Sequence, residues 1–228
     1  MSVLDNPVWH ALTGPQATVA EGTGRAVRFQ RDVSVFGALP DDATPEDWEA
    51  LRDLVGAGGH VFLARSEITA PPGWTVRFRA EGTQMTADHR VNGAPAEPPL
   101  PIERLDATAV PEILELVERT QPGPFLPRTI ELGTYLGMRD ASALVALSGM
   151  RMHLPGWTEI SAVCTDDAYR GRGLAKVLVG RLVDEILDRD ERVCLHVVAT
   201  NTPAITLYES LGFTTRRSLE FAFLQAQS

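Results

Sequence analysis

Glycines at 171 and 173 alternate with Arg170 and Arg172 and stand just ahead of Leu174, Leu178, Leu182 and Ile186, which recur at four-residue spacing. That repeat predicts an amphipathic helix over residues 173–188, so the helix's unpaired N–H groups and positive dipole end fall on the glycines. Residues without a Cβ let backbone approach a bulky anion, and helix N-termini bind phosphate groups. Arg170, Arg172 and Lys176 place three cations within seven residues of a chain with 30 acidic and 21 basic side chains and a net charge of −9. The chemistry this suits is the gripping of a diphosphate by Gly171, Arg172, Gly173, Leu174, Ala175 and Lys176. Spacing excludes two other phosphate loops. The P-loop needs Gly-Lys-Ser/Thr after a four-residue gap, and the dinucleotide fingerprint needs G-x-G-x-x-G.

Arg170-x-x-Gly173-x-Ala175 resembles the R/Q-x-x-G-x-G/A signature of the GNAT superfamily of acyl-CoA-dependent N-acyltransferases, in which consecutive amides hold the CoA pyrophosphate. The surroundings agree: Ile160 to Thr165 reads as a strand before the loop, and Asn201-x-x-Ala204-x-x-x-Tyr208 follows a second strand. The resemblance covers roughly residues 101–224. Within the superfamily it is nearest to the C-terminal domain of glycine N-acyltransferase-like proteins, through the segment 159–165, the glycine loop, Leu195-His196-Val197 and Asn201. It implies acetyl-CoA, or another short acyl-CoA, as co-substrate, lying along Val163, Cys164 and Thr165 with Asn201 on the pantetheine arm. It also implies direct attack by a primary amine of a small molecule such as an amino acid.

An ammonium has no lone pair and a departing thiolate is helped by a proton, so one base and one acid are wanted, each worth on the order of 10² to 10⁴ in rate. By its position after Asn201, Tyr208 is the expected acid. Two residues compete as base. Glu159 sits where some family members carry a catalytic glutamate, and would need a raised pKa; His196, on the next strand, titrates near neutrality unaided. Water alone remains open as a third route. The family's oxyanion donor is a backbone N–H near Val163. Cys164 is expected to be a buried apolar thiol, not a nucleophile. The proline-rich stretch 121–128 is expected to border the acceptor, with Phe125, Arg128 and Tyr135 lining it and Arg128 able to hold a carboxylate. The histidines show no metal spacing, so no metal is expected.

Of the 228 residues, 44% are hydrophobic and 22% charged, which reads as an ordinary globular protein. No apolar run is long enough to span a membrane, the N-terminus lacks a signal-peptide pattern, and no basic stripe favours nucleic acid. A cytoplasmic protein is expected, and a homodimer is left open. Prolines near residues 92–101 predict a linker between an N-terminal α+β region, 1–95, covering the acceptor side, and an acyl-CoA-binding catalytic domain, 101–228. Downstream, strands are expected at 102–105, 134–139, 143–152, 158–165, 192–199 and 218–224. Helices are expected at 110–119, 129–132, 173–188 and 203–211. This is an α/β (α+β) fold with a mixed, mostly antiparallel sheet flanked by helices. Upstream, strands at 17–20, 25–30, 60–65, 74–79 and 84–89 and a helix from Thr44 to Val55 allow a degenerate copy of the same fold. The competing functions are a catalytically silent acyl-CoA sensor or interaction module, and a protein lysine or N-terminal acetyltransferase.

Overall fold

The computed structural model describes residues 2–22, 24–91 and 98–227. In chain order its elements are α1 (Pro7–Leu12), the short strands β1 (Ala20–Glu21), β2 (Val27–Phe29) and β3 (Gly37–Ala38), α2 (Pro45–Val55), β4 (His60–Arg65) and β5 (Trp74–Ala87). There follow β6 (Ile102–Leu105), α3 (Val110–Thr120), β7 (Tyr135–Asp140), β8 (Ala143–Leu154), β9 (Trp157–Thr165), α4 (Leu174–Leu187), β10 (Arg192–Val198), α5 (Thr202–Ser210) and β11 (Thr214–Ala226). Residues 92–97 of the expected linker lie outside the described residues.

The long sheet runs β4-β11-β5-β10-β9-β8-β7-β6. Its neighbours are antiparallel except for β9 and β10, which are parallel. This is the mixed, mostly antiparallel sheet expected. On one face α4 buries Leu174, Leu178, Leu182 and Ile186, with Tyr208, Leu211 and Phe213 in the same core; each such leucine contributes about 1.5–3 kcal/mol by leaving water. The opposite face carries α3, through Ile113 and Leu116, and α1 with the small β1-β2-β3 sheet.

The N-terminal residues complete this sheet; they do not repeat it. β5 lies between β10 and β11, pairing from Val193↔Ala87 to Val198↔Gly82 on one side and along its whole length on the other. Without it β10 would present an unpaired edge. The strands expected at 74–79 and 84–89 are therefore one. Gly82 does not break it, because a Cβ there would sit 2.5 Å from the Phe221 ring, so the glycine answers a close approach. The helix expected after Thr44 forms with both halves of its capping box: Asp47 N–H donates to Thr44 Oγ1 at 3.4 Å and Thr44 N–H to Asp47 Oδ2 at 2.8 Å. Six-residue α1 was not expected, being too short to show a period.

The parallel pair opens midway. β9 and β10 are in register only from Trp157↔Arg192 to Ile160↔Leu195, although they continue to Thr165 and Val198. On its other side β9 bulges: Gly149 faces Ser161 but Leu147 already faces Cys164, and Ala162 turns to a φ of 53°. A bulge takes backbone out of the ladder and re-aims it, so residues 161–165 are left with a free edge toward β10.

Candidate active site

The wedge between β9 and β10 opens into a cavity of about 790 Å³ that runs from the glycine loop to the aromatic rings of the N-terminal segment. At the loop end, Gly171 and Gly173 have φ values of 76° and 79°, a region that favours glycine. Nothing lies within 4 Å of a Cβ built at either. Gly173 is the N-cap of α4 and brings no side chain to its amides, where Ser or Asp would have taken one. The first helical bond is donated by Val177 to Gly173 O at 3.2 Å. Among the described residues no acceptor takes the N–H groups of Gly171 through Lys176. The cations divide. Arg170 pairs with Asp167 at 2.7 Å, and Arg172 lies over the Tyr169 ring at 4.7 Å. Arg170 and Lys176 line the cavity with Leu174 and Ala175.

Further in, Val163, Cys164 and Thr165 form one wall, with Asn201 and Tyr208 opposite. Asn201 caps α5 by accepting from Ala204 N–H at 3.2 Å. Tyr208 is 8% exposed and its hydroxyl meets no protein partner among the described residues, so it is free for a ligand. Burial, with Cys164 beside it, pushes the phenol up to about 12, so it holds its proton throughout the physiological range. Burial likewise pushes the Cys164 thiol up to about 11, leaving a thiolate fraction on the order of 10⁻³ near pH 8. Iodoacetamide is accordingly expected to leave Cys164 of the native chain unmodified over an hour at about pH 8; a stoichiometric adduct found by mass spectrometry would contradict the burial argument.

The two residues expected to compete as base sit together in one buried network. Arg151 donates from Nε to Glu159 Oε2 at 2.9 Å and from Nη2 to Oε1 at 2.7 Å. His196 Nδ1 lies 2.7 Å from the same Oε1. Burial alone would raise the Glu159 carboxyl, but the Arg151 charge and the hydrogen bonds from His196 and Arg151 outweigh it and hold Glu159 down to about 2. Such a carboxylate is a poor proton acceptor. His196 is occupied at both nitrogens. Arg216 Nη1 donates to Gln84 Oε1 at 2.7 Å, which assigns Gln84 Nε2 as the donor to Leu4 O and to His196 Nε2, each at 2.8 Å. His196 Nδ1–H is thereby directed to Glu159 and Nε2 accepts from Gln84. The His196 side chain is 1% exposed. Neither residue presents a free basic lone pair to the cleft, which corrects the expectation for both.

The acceptor-side expectation is corrected as well. Phe125 and Tyr135 pack edge to face at 5.4 Å in the core under α3, and Arg128 is spent on Glu131 at 2.7 Å and Asp32 at 3.2 Å. The loop itself does border the cavity, but through Gln121, Pro122, Gly123 and Pro124. The opposite wall is aromatic: Phe36, Phe62, Phe78 and Phe221, from β4, β5, β11 and the turn after β2. Only Arg151 carried a local signal, a charge inside the apolar run of β8.

The described geometry can be set against known proteins. The family described as FR47-like protein matches residues 135–222. A crystal structure of a protein from Novosphingobium aromaticivorans, named as a putative acetyltransferase of the GNAT family, is 35% identical over the whole of both chains, with a TM-score of 0.91. Mycothiol acetyltransferases from Corynebacterium glutamicum and Thermomonospora curvata are 40% and 35% identical over 80 and 150 residues, or 35% and 65% of this chain. The chain spans only 27% and 46% of the lengths of those two. The chain belongs to the GNAT family of N-acetyltransferases. None of these three relatives is a glycine N-acyltransferase, and the finer likeness to that group finds no support in them.

Proposed function

We propose that the chain transfers a short acyl group, acetyl foremost, from CoA to the primary amine of a small molecule by direct attack. The observation that carries this is the run of unpaired amides at residues 171–176 opening on the same cleft as the Tyr208 phenol. On this reading those amides and Lys176 take the pyrophosphate, and the free edge of β9 with Asn201 holds the pantetheine arm as an added strand would be held. The re-aimed backbone near Val163 steadies the oxyanion, and Tyr208 gives its proton to the departing thiolate. The amine's proton passes to water in the cleft, because the Glu159 carboxylate is held too acidic and His196 has no spare lone pair. A small acceptor, and not a protein tail, is in keeping with the mycothiol acetyltransferases among the relatives.

Calorimetry with CoA tests the reading. Gly173→Asp places a carboxylate at the N-cap of α4, where it strains a left-handed backbone that Asp tolerates better than most side chains and repels a diphosphate. Affinity for CoA is expected to fall about 100-fold or more, as for the loss of two charge-assisted hydrogen bonds, with at most a small fall in melting temperature from the left-handed backbone. Unsaturable binding of CoA by the unaltered chain at millimolar concentration, or equal affinity in Gly173→Asp, would reject the site.

A further inference from the structure

The acceptor end of the cleft has an unusual wall: four phenylalanine rings, Phe36, Phe62, Phe78 and Phe221, and one cation. Three of the rings form a continuous surface, Phe62 lying 5.1 Å from Phe36 and 5.8 Å from Phe221. Phe78 is 49% exposed. The cation is Arg151, whose carbon Cζ lies over the Phe36 ring, 4.7 Å from its centre. Its Nε and Nη2 are committed to Glu159, but Nη1 has no acceptor among the described residues. Unlike Nη1 of Arg28, it is not sealed from solvent. The Arg151 side chain is 10% exposed and is among the residues that line the cavity. A buried guanidinium with two unspent N–H groups is a receptor for a carboxylate. The rings can stack on an apolar body but supply no hydrogen bonds for the several hydroxyls of a polyol.

Resting on the acyl-transfer reading above, we infer that the acceptor is a primary amine bearing both a carboxylate, held by Nη1 of Arg151, and a large apolar body, packed on the rings of Phe36, Phe62, Phe78 and Phe221. A hydrophobic amino acid has that chemistry; an amino sugar does not. Arg151 is thereby a specificity-determining residue and Glu159 the positioning residue that fixes its plane.

The test uses the full chain and three probes: L-phenylalanine, 2-phenylethylamine, which lacks only the carboxylate, and glucosamine. CoA is titrated first by calorimetry, then each amine into the CoA-loaded chain, with thiol release from acetyl-CoA measured in parallel. L-phenylalanine is expected to bind about 10- to 100-fold more tightly than 2-phenylethylamine, the range for one charged hydrogen-bonded contact, and glucosamine more weakly than either. The same ordering is expected in kcat/KM, carried mainly by KM. In the paired variant Arg151→Met with Glu159→Gln, which leaves no uncompensated buried charge, the ratio of L-phenylalanine to 2-phenylethylamine is expected to collapse toward one. A preference for glucosamine, equal affinity for the first two probes, or a ratio unchanged in the paired variant overturns the inference. Failure of the acyl-transfer reading is visible separately, as absent CoA binding; the amines are then titrated into the chain alone, and the same ratios decide the carboxylate question.

Discussion

Tyr208→Phe is expected to lower kcat for acetyl transfer about 100-fold while leaving the KM for acetyl-CoA within about threefold. The phenol adds little to ground-state binding: its ring keeps its packing against Phe213, 5.9 Å away, when the hydroxyl is removed. What disappears is the proton delivered as the carbon–sulfur bond breaks, an interaction made only in the transition state, and such losses appear in kcat. The figure lies at the lower end of the 10²–10⁴ range for acid catalysis, because a thiolate departs more readily than an alkoxide. The pH profile gives a second reading. With the phenol pushed up to about 12 and, among the described residues, both nitrogens of His196 taken up by Glu159 and Gln84, activity is expected to rise with pH as the acceptor amine deprotonates. No falling limb is expected below about pH 10. Unchanged kcat in Tyr208→Phe, or a bell with an acidic limb that follows the enzyme and not the amine, would remove Tyr208 or the water route from the mechanism.

What the sequence made legible, and what it hid, divides by the distance over which the information acts. The glycine loop is local: two left-handed residues, an uncapped helix start and a four-residue leucine repeat are all written within residues 170–186, and the structure puts their amides at the mouth of the cleft. Asn201 and Tyr208 are local as well, one capping α5 and the other riding on it. The roles of Glu159 and His196 depend on partners across the sheet. Arg151 comes from the neighbouring strand, and Gln84 is brought in only because β5 inserts beside β10. No spacing rule reports a pairing between residues 84 and 196. The same insertion delivers Phe78 and, through β4 and β11, Phe62 and Phe221, so the acceptor wall is built largely from a segment whose sequence carries no chemistry of its own. The stretch 121–128 illustrates the opposite error: its prolines marked the right loop, but which of its side chains face the cleft was decided by packing under α3.

Arg151→Met alone is expected to destabilise the fold by about 3–5 kcal/mol, the range for stranding one partner of a buried ion pair. In a chain of this length that corresponds to a fall of roughly 10 °C or more in melting temperature. Glu159 is fully buried, and without the guanidinium its charge is opposed by a single imidazole N–H. Its carboxyl would take up a proton, and His196 would lose the acceptor that fixes its tautomer. Adding Glu159→Gln is expected to restore most of the loss, since the amide oxygen can still accept from His196 while no buried charge remains. The acid limb of stability checks the same network. The folded carboxyl is held well below its ordinary 4.5, chiefly by the Arg151 charge against the cost of burial, so its contribution is complete above about pH 4.5 and disappears as pH falls below that. The paired variant should lose that part of the acid slope. A smaller slope should remain from Asp5, also held down to about 2, where hydrogen bonds from Arg216, Ser2 and Arg217 outweigh burial. Chemical denaturation at several pH values measures all three chains. A single variant as stable as the unaltered protein, or acid slopes that coincide, would mean that Arg151 and Glu159 are not coupled as the geometry requires; the guanidinium would then not be held in place for an acceptor carboxylate.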